Sequence, residues 1–272
     1  MTRLADLGEL GLLAELERCG LAVRIENDAA ELPGGRVVTQ DALVEGVHFR
    51  LDAISWRELG FRAAAVNLSD LAASGAEPEG LVVTLAARPG TEVADVLELY
   101  EGLGEAGVPV IGGDTTASDL LVVSVTALGH SERVPGRGGA VPGDALVVTG
   151  PLGLAGAAFR EGRYVRPPVR IEEGKRLAAT AHALIDVSDG LATDAGHIAE
   201  RSGCRLVVDL ERVPLAPAAT IDDLGFGEDF ELLAAVPDPG GFSEIGRCEE
   251  GSGVELRLNG EHVELPGYEH FR

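Results

Sequence analysis

Aspartates beside glycine, serine or threonine recur along the chain where secondary structure is predicted to end or turn. They occur in Asn27-Asp28, Thr39-Gln40-Asp41, Asn67-Leu68-Ser69-Asp70, Gly112-Gly113-Asp114 and Asp186-Val187-Ser188-Asp189-Gly190. Carboxylate oxygens on short side chains suit Mg²⁺, which retains several waters and binds substrate phosphates. A neighbouring glycine also lets a phosphate approach the backbone closely. Together these segments predict a polyacidic site for metal ions and phosphate.

Two of these segments place aspartates directly after apolar strands. Asp114 is predicted to follow the strand 108–111 at a double glycine, and an ordinary turn aspartate explains it as well as a functional one does. Asp186 follows the apolar residues 183–185, a setting that a turn role does not explain. Helix capping alone would account for Asp189.

The clearest predicted helix begins at Ser55, where Ser55 and Glu58 have the spacing of a capping box. Further along it, Asn67, Asp70 and Ser74 share one face at positions i, i+3 and i+7. A solvated face is the simpler interpretation. However, that stripe holds only short polar residues and no Lys, Arg or Glu, which favours a ligand role.

The common devices of phosphate-handling enzymes are missing from the sequence. The only lysine, Lys175, does not stand in a G-x-x-x-x-G-K-[ST] loop, and the protein-kinase motifs are absent. A lone histidine such as His48 is more often structural than a metal ligand. Arg137 lies in a glycine-rich segment and could clamp a phosphate, although a solvated loop arginine is the commoner case.

The order of predicted elements indicates two α+β units. Strand, helix, strand, helix, strand and strand precede a segment rich in Gly and Pro at 135–143, and a second alternating set follows it. We therefore predict an N-terminal domain over 1–138 and a C-terminal α/β domain over 139–272.

Composition limits the classes of partner. The net charge of −23 disfavours binding to nucleic acid or to anionic membranes, and also makes cations necessary at any ATP site. The N-terminus has no signal-peptide pattern and no apolar run is long enough to span a bilayer, so we expect a cytoplasmic protein. The three cysteines are far apart with no C-x-x-C pair, which predicts three unrelated reduced thiols.

Several longer segments resemble the thiamine-monophosphate kinase family in sequence and in order, and they cover nearly the whole chain. They are residues 41–49, 65–73, 111–116, 185–191, 227–232 and the terminal Gly267-Tyr268-Glu269-His270-Phe271. The resemblance implies the fold of aminoimidazole ribonucleotide synthetase. That fold has an N-terminal ferredoxin-like domain, which pairs across a homodimer to form a β-barrel, and a C-terminal α/β domain.

The resemblance also implies an activity, in which ATP phosphorylates thiamine monophosphate to thiamine diphosphate by direct in-line transfer with several Mg²⁺ ions. The metal set that it implies is Asp28, Thr39, Asp41, Asp70, Asp114, Asp186 and Asp189, of which Asp114 and Asp186 are the catalytic pair. The implied ATP contacts are Gly113, Asp114, Arg137, Ser188 and Tyr100. The implied contacts to the phosphorylated substrate are His48, Glu228 and Tyr268.

The chain departs from the family pattern at a few of these motifs. Glu26 and Asn27 stand where the family has Gly and Asp, Gln40 replaces Ser or Thr, and Phe226 replaces Gly. These departures leave open a weakened homologue that only binds nucleotide and metabolite. Another ATP-dependent enzyme of the same superfamily is a separate alternative.

Overall fold

The computed structural model describes residues 2–23 and 25–268. Its helices are α1 (Leu4–Arg18), α2 (Trp56–Ala73), α3 (Val93–Glu105), α4 (Leu154–Arg160), α5 (Ile171–Ala178) and α6 (Leu191–Ser202). Its strands are β1 (Ala30–Leu32), β2 (Arg36–Val44), β3 (Glu77–Ala87), β4 (Val110–Ala117), β5 (Val122–His130), β6 (Ala145–Val148), β7 (Ala183–Asp186), β8 (Arg205–Asp209), β9 (Leu232–Val236), β10 (Ser243–Glu249), β11 (Gly253–Leu258) and β12 (Glu261–Val263). No described helix has both the length and the apolarity that crossing a bilayer requires.

The first five strands form one sheet in the order β1-β2-β5-β3-β4. Only β3 and β4 run parallel, and the other neighbours are antiparallel. Buried residues alternate along β2 and β5, because α2 covers one face of the sheet. The opposite face is less buried, and β4 forms an exposed edge.

The remaining seven strands form a second sheet in the order β12-β11-β8-β10-β6-β9-β7. Its short strands β6, β7 and β9 are buried on both faces, as their continuous apolar runs require. Helix α6 packs on one face. Residues of α2 and α5 pack on the other face, so one apolar core joins the two sheets.

The predicted two-part organisation is confirmed by these two sheets. Neither sheet closes into a barrel within the described residues, so the barrel remains a prediction about an assembly. The predicted boundary at residue 138 falls in the stretch between β5 and β6, where Gly136 O accepts a hydrogen bond from Leu184 N at 2.8 Å.

Helix α2 lies between the two sheets and is the central element of the molecule. The predicted capping box is present, with Glu58 N donating to Ser55 Oγ at 3.2 Å and Ser55 N donating to Glu58 Oε2 at 3.0 Å. Thirteen of the eighteen α2 residues are buried, including Arg62 and Asn67. The alanine-rich composition lets neighbours approach this helix from several sides.

Glycines bring α2 into backbone contact with α3. A Cβ atom added at Gly60 would lie 1.9 Å from Leu99 O, and one added at Gly102 would lie 1.9 Å from Arg57 O. Such distances are far below van der Waals contact with rigid main-chain atoms. The crossing of α2 and α3 therefore depends on hydrogen atoms in place of side chains at these two positions.

We expect Gly102→Ala to lower the free energy of unfolding by about 2 kcal/mol or more, because the methyl group overpacks the crossing. The matched control is Gly104→Ala in the same helix, where an added Cβ meets nothing within 4 Å. Alanine is the better helix former, so the control should be neutral or up to about 1 kcal/mol more stable. Urea unfolding of both variants measures the difference, and equal stabilities would contradict the packing argument.

The prediction of three unrelated thiols is wrong for two of them. Cys204 and Cys248 are both buried, with Cys248 on β10 and Cys204 just before β8. Burial raises the pKa of the Cys248 thiol, and a hydrogen bond to Cys204 adds to the rise. Cys19 is exposed and distant in sequence. The strand pairing of β8 with β10 brings the two thiols together, and their sequence separation hides it.

Candidate active site

Three carboxylates from three separate elements meet between the two sheets. Asp28 precedes β1, Asp70 is near the end of α2, and Asp186 is the last residue of β7. One carboxylate oxygen from each lies within 4.8 Å of the other two. The prediction that acids from both halves of the chain converge is thus met by these residues.

Hydroxyl and amide groups hold the carboxylates in place. Thr39 Oγ1 on β2 donates to Asp70, and Ser69 Oγ donates to Asp186 Oδ2 at 2.7 Å. Asn67 Oδ1 accepts a hydrogen bond from Asp41 N at 3.1 Å, which ties β2 to α2. Successive residues of α2 therefore fix β2 on one side and β7 on the other.

Burial raises the pKa of every carboxyl group in this cluster, and neighbouring carboxylates add to the rise for Asp41, Asp70 and Asp186. Burial raises the pKa of Asp186 to about 8, and the charge of Asp28 adds to the effect. Burial and then the charge of Asp41 raise the pKa of Asp70 well above its usual range. The pKa values of Asp28 and Asp41 are also raised, with burial as the largest cause. Proteins concentrate such shifts at functional sites.

Arg137 supplies the positive charge nearest to this cluster among the described contacts. Its Nη2 and Nε atoms lie 2.6 Å and 3.1 Å from Asp28 Oδ1. Burial lowers the pKa of the guanidinium, but attraction to Asp28 outweighs this and leaves it raised. The main chain of Arg137 is fixed as well, since Arg137 N donates to Asn27 Oδ1 at 3.0 Å. Asn27, a departure from the family pattern, thus anchors the segment between the sheets.

The donor set fits a hard divalent cation. Asp28, Asp70 and Asp186 offer carboxylate oxygens, Thr39 offers a hydroxyl, and no sulfur ligand takes part among the described residues. Oxygen donors of this type suit Mg²⁺. A cation there would also reverse the repulsion that raises the pKa values of these carboxyl groups.

A second group of possible ligands lies beside the first. Ligand atoms of Asp189, Asp194 and His197 lie within 4.8 Å of one another. Asp194 Oδ2 accepts a hydrogen bond from Asp189 N at 3.1 Å, so Asp194 shapes the turn before α6. Asp189 O accepts a hydrogen bond from Tyr268 N at 3.0 Å. The predicted metal residue Asp189 and the predicted substrate contact Tyr268 are therefore neighbours, while Glu269, His270 and Phe271 lie outside the described residues.

The acidic segment before β9 separates into three different roles. Glu228 forms an ion pair with Arg62 of α2. Asp229 accepts hydrogen bonds from Gly153 N at 2.7 Å and from Ala155 N at 3.4 Å, and so caps α4 from a distant part of the chain. Glu231 pairs with Arg170, which donates from Nε at 2.7 Å and from Nη2 at 2.6 Å. Glu228 and Phe230 have φ angles of 56° and 51°, so β9 begins only at Leu232.

We expect Asp229→Ala to lower the free energy of unfolding by about 1–2 kcal/mol, because the first N–H groups of α4 lose their acceptor. Asp229→Asn keeps an acceptor oxygen and should lose less. Burial raises the pKa of Asp229 to about 6, so the asparagine also avoids the cost of a buried charge at higher pH. Urea unfolding at about pH 7.5 tests the order of the two variants, and the reverse order would rule out the capping role.

Gly113 and Asp114 do not join the cluster within one chain. Asp114 is predicted at the end of a strand, but it lies in the middle of β4, on the exposed edge. It pairs with Thr84 of β3, which pairs with Ser124 of β5. Paired residues share a face, so Asp114 is on the open face and about 14 Å, or three strand spacings, from β2. Within one chain Asp114 therefore lies away from the cluster, and its role at the metal site stays a prediction.

The other predicted contacts lie around the cluster or at its rim. His48 Nδ1 accepts a hydrogen bond from Val44 N at 3.0 Å, which leaves Nε2 as the protonated nitrogen. Ser188 O accepts a hydrogen bond from Glu228 N at 2.8 Å. Tyr100 is partly buried on α3 and packs against the core. Gln40 lies on the open face of β2 and its Nε2 donates to Ser124 Oγ at 3.2 Å, away from the carboxylates.

Phe226 contributes to a pocket next to this rim. Its ring centroid is 4.9 Å from that of Phe159. The two rings help to line a cavity of about 500 Å³, together with Arg160, Asp223, Gly225 and Pro266. Arg160 and Asp223 form an ion pair within it. The pocket therefore has an apolar side and a charged side.

Several residues of this region carry weak signals or none in the sequence. Ser69 stands in the Asn-Leu-Ser-Asp segment, but nothing in the sequence shows that its hydroxyl contacts Asp186. Arg62 interrupts an apolar stretch of α2, and a charge in such a stretch is the one available signal. The sequence gives no sign that Asp229 caps α4, because the capped residue Gly153 lies 76 positions earlier in the chain.

Family models and curated relatives match nearly the whole chain. The N-terminal domain model of AIR synthase related proteins matches residues 26–131, and the C-terminal domain model matches residues 141–259. Thiamine-monophosphate kinase of Aquifex aeolicus is 32% identical over 99% of this chain and 100% of its own length. The enzyme of the same name from Caulobacter vibrioides is 37% identical over 89% of this chain and 83% of its own.

Solved structures give the same result at the level of the fold. A structure of AaThiL complexed with AMPPCP and TMP has a TM-score of 0.91 at 32% identity, covering 99% of both chains. The hydrogenase maturation protein HypE has a TM-score of 0.71 at 20% identity, which shows a shared fold only. Both domain models and curated relatives over nearly the whole length place the chain in one family. This chain belongs to the thiamine-monophosphate kinase family.

Proposed function

We propose that this protein transfers the γ-phosphoryl group of ATP to thiamine monophosphate and so forms thiamine diphosphate. The observation that carries the proposal is the convergence of Asp28, Asp70 and Asp186 between the two sheets. Family membership supports it, as does the close likeness to a relative solved with an ATP analogue and TMP.

The chemistry needs charge control more than acid–base catalysis. The acceptor is a phosphate oxygen that is already ionised at neutral pH, so no strong general base is required. Several Mg²⁺ ions on the carboxylate cluster would neutralise the two phosphate groups that must approach each other. The roles of the protein are then to hold the carboxylates through Thr39 and Ser69 and to orient both substrates for in-line transfer.

The nucleotide contacts in this proposal are Arg137, Ser188 and Tyr100. Arg137 lies against the cluster through Asp28, so its guanidinium can exchange that carboxylate for a phosphate oxygen. Ser188 follows Asp186 by two residues and is therefore within reach of the same phosphates. An arginine that forms two parallel hydrogen bonds suits phosphate recognition.

The acceptor contacts are His48, Glu228 and Tyr268. Glu228 and Tyr268 are linked to the Ser188-Asp189 turn by their main-chain N–H groups, so both lie close to the metal residues. The pocket beside Phe226 is two residues from Glu228 and would accommodate the organic part of the acceptor. The replacement of glycine by Phe226 adds an aromatic wall there.

We also propose that a homodimer completes the site, with Gly113 and Asp114 acting on the partner's cluster. The edge strand β4 is exposed, and the open face of its sheet carries partly buried apolar residues such as Val82 and Val122. A second copy would cover this face and form the barrel.

A mixing experiment tests the contribution of Asp114 in trans. Asp114→Asn and Asp186→Asn should each be nearly inactive alone. After unfolding and joint refolding in equal amounts, half of the dimers are mixed, and each mixed dimer holds one intact site. Recovery of about one quarter of wild-type activity is expected, and no recovery would place Asp114 in the same site as its own Asp186.

The direct test of the proposed function is thiamine diphosphate formation with ATP and Mg²⁺, measured by chromatography. The panel should include thiamine monophosphate, free thiamine and aminoimidazole precursors. Binding of both substrates without product at any Mg²⁺ concentration would favour a weakened, ligand-binding homologue. Turnover of an aminoimidazole precursor alone would favour another enzyme of the superfamily.

A further inference from the structure

Arg62 is a buried cation that the proposed chemistry does not use. It is 9% exposed on α2, and its Nε atom is a buried polar atom without a hydrogen-bond partner among the described residues. Its guanidinium also lies 5.8 Å from the centre of the Tyr164 ring. Burial of an arginine costs free energy unless its partners compensate, so the retained charge needs a reason.

The main partner of Arg62 is Glu228, through the Nη2 and Oε1 atoms. Glu228 has the left-handed φ angle of 56°, and Phe230 two residues later has 51°. A left-handed backbone conformation at a residue other than glycine persists only where the surrounding structure holds it in place. Two attachments do so: Glu228 N donates to Ser188 O at 2.8 Å, and Phe230 N donates to Val187 O at 2.9 Å. The carboxylate itself is fixed by Arg62.

The spacing along α2 connects this pair to the cation cluster. Arg62 and Ser69 lie seven residues apart and therefore on the same face of the helix. Ser69 holds Asp186, whereas Arg62 holds Glu228. Seven residues of helix span about 10.5 Å. Helix α2 therefore sets the distance between the carboxylate of Glu228 and the carboxylate cluster at which phosphoryl transfer is proposed.

We propose that Arg62 is a positioning residue that acts through Glu228, and that α2 thereby selects acceptors by the distance between the group that Glu228 contacts and their phosphate. This inference rests on the proposed function. Glu228, an acceptor contact of the proposed function, is presented at a fixed separation from the carboxylate cluster. An acceptor of the wrong length reaches one of these points but not both.

The test is calorimetric binding of thiamine monophosphate together with steady-state kinetics. Arg62→Met should weaken acceptor binding and raise its KM roughly tenfold to a hundredfold. It should leave the KM for ATP within about twofold and kcat within about threefold, because the metal residues are untouched. Arg62→Lys keeps a charge but loses the planar fork, and should lie between Arg62→Met and wild type.

A double variant separates positioning from mere stability. If Arg62 acts through Glu228, then Arg62→Met in a Glu228→Gln background should change the acceptor KM by less than about twofold. The matched control is Arg57→Met on the same helix, whose ion pair at 2.7 Å is with Glu101 of α3. It should alter thermal stability without changing the acceptor KM.

The outcomes distinguish the two proposals. No binding of thiamine monophosphate by the wild-type protein would overturn the proposed function and this inference with it. Tight binding by the wild type and equal binding by Arg62→Met would overturn the inference alone. If the effects of Arg62→Met and Glu228→Gln on the acceptor KM simply multiply in the double variant, Arg62 does not act through Glu228. If Arg62→Met fails to fold, Arg62→Lys and Arg62→Gln decide by the same criteria.

Discussion

Asp186→Asn is expected to lower kcat roughly a thousandfold and, without divalent cations at about pH 8, to make the protein more stable. The rate loss follows because one of the three convergent carboxylates disappears, and metal-borne charge stabilisation is worth several kcal/mol. The gain in stability follows because burial and neighbouring charges raise the pKa of Asp186 to about 8. An ionised carboxylate in that position therefore costs free energy, and a neutral amide does not.

We expect the free energy of unfolding of this variant to exceed that of wild type by about 2 kcal/mol in a chelator. The amide oxygen can still accept the hydrogen bond from Ser69 Oγ. Chemical unfolding and a thiamine diphosphate assay measure the two effects on one preparation. Asp119→Asn, an exposed position between β4 and β5, is the control and should change neither quantity. Lower stability of Asp186→Asn in chelator would show that Asp186 is not strained by the cluster.

The thermal stability of the metal-free wild type should fall as pH rises from about 6 to 9. The pKa of Asp186 is about 8 in the folded protein and near 4 when unfolded, so the folded state binds more protons in between. The stability that protonated Asp186 contributes is complete below its pKa in the unfolded chain. This contribution is lost as pH rises through its pKa of about 8 in the folded protein. The raised pKa values of Asp28, Asp41 and Asp70 act in the same direction. A loss of about 2–3 kcal/mol corresponds to a decrease in Tm of roughly 5–10 °C.

Millimolar Mg²⁺ should cancel most of this decrease, so its effect on Tm should be larger at about pH 8.5 than at pH 6. Scanning calorimetry in chelator and in Mg²⁺ measures both curves. Because the chain carries a charge of −23, KCl at matched ionic strength must be compared to separate general screening from binding. Asp186→Asn should flatten the metal-free curve. An Mg²⁺ effect that is equal at both pH values would argue against binding at the cluster.

Local rules predicted α2 and the acids near it. The capping box at Ser55 lies within four residues of sequence, and the stripe of Asn67, Asp70 and Ser74 follows from helical periodicity alone. Asp186 stood out because a carboxylate followed an apolar strand. Each of these signals depends on short-range physics, so the sequence contains them in full.

Long-range pairings decided the features that the sequence did not reveal. The position of Asp114 depends on the register of β4 against β3, which places it on the open face of the sheet. The strand β10 was not predicted, since its residues Ser243–Glu249 gain their strand character from pairing with β6 and β8. The link between Arg62 and Glu228 spans 166 positions, and nothing near either residue indicates the other.

The glycine crossing of α2 with α3 has a consequence for how firmly the site is held. A third glycine, Gly174 of α5, brings α2 equally close on the other side, where an added Cβ would lie 2.2 Å from Ala72 O. Main chain rests on main chain at both contacts, without long side chains that could slide or repack. A shift of α3 or α5 against α2 would therefore have to displace main chain and not only side chains. The helix that carries Ser69 and Asp70 is thus held in place by main chain on both sides.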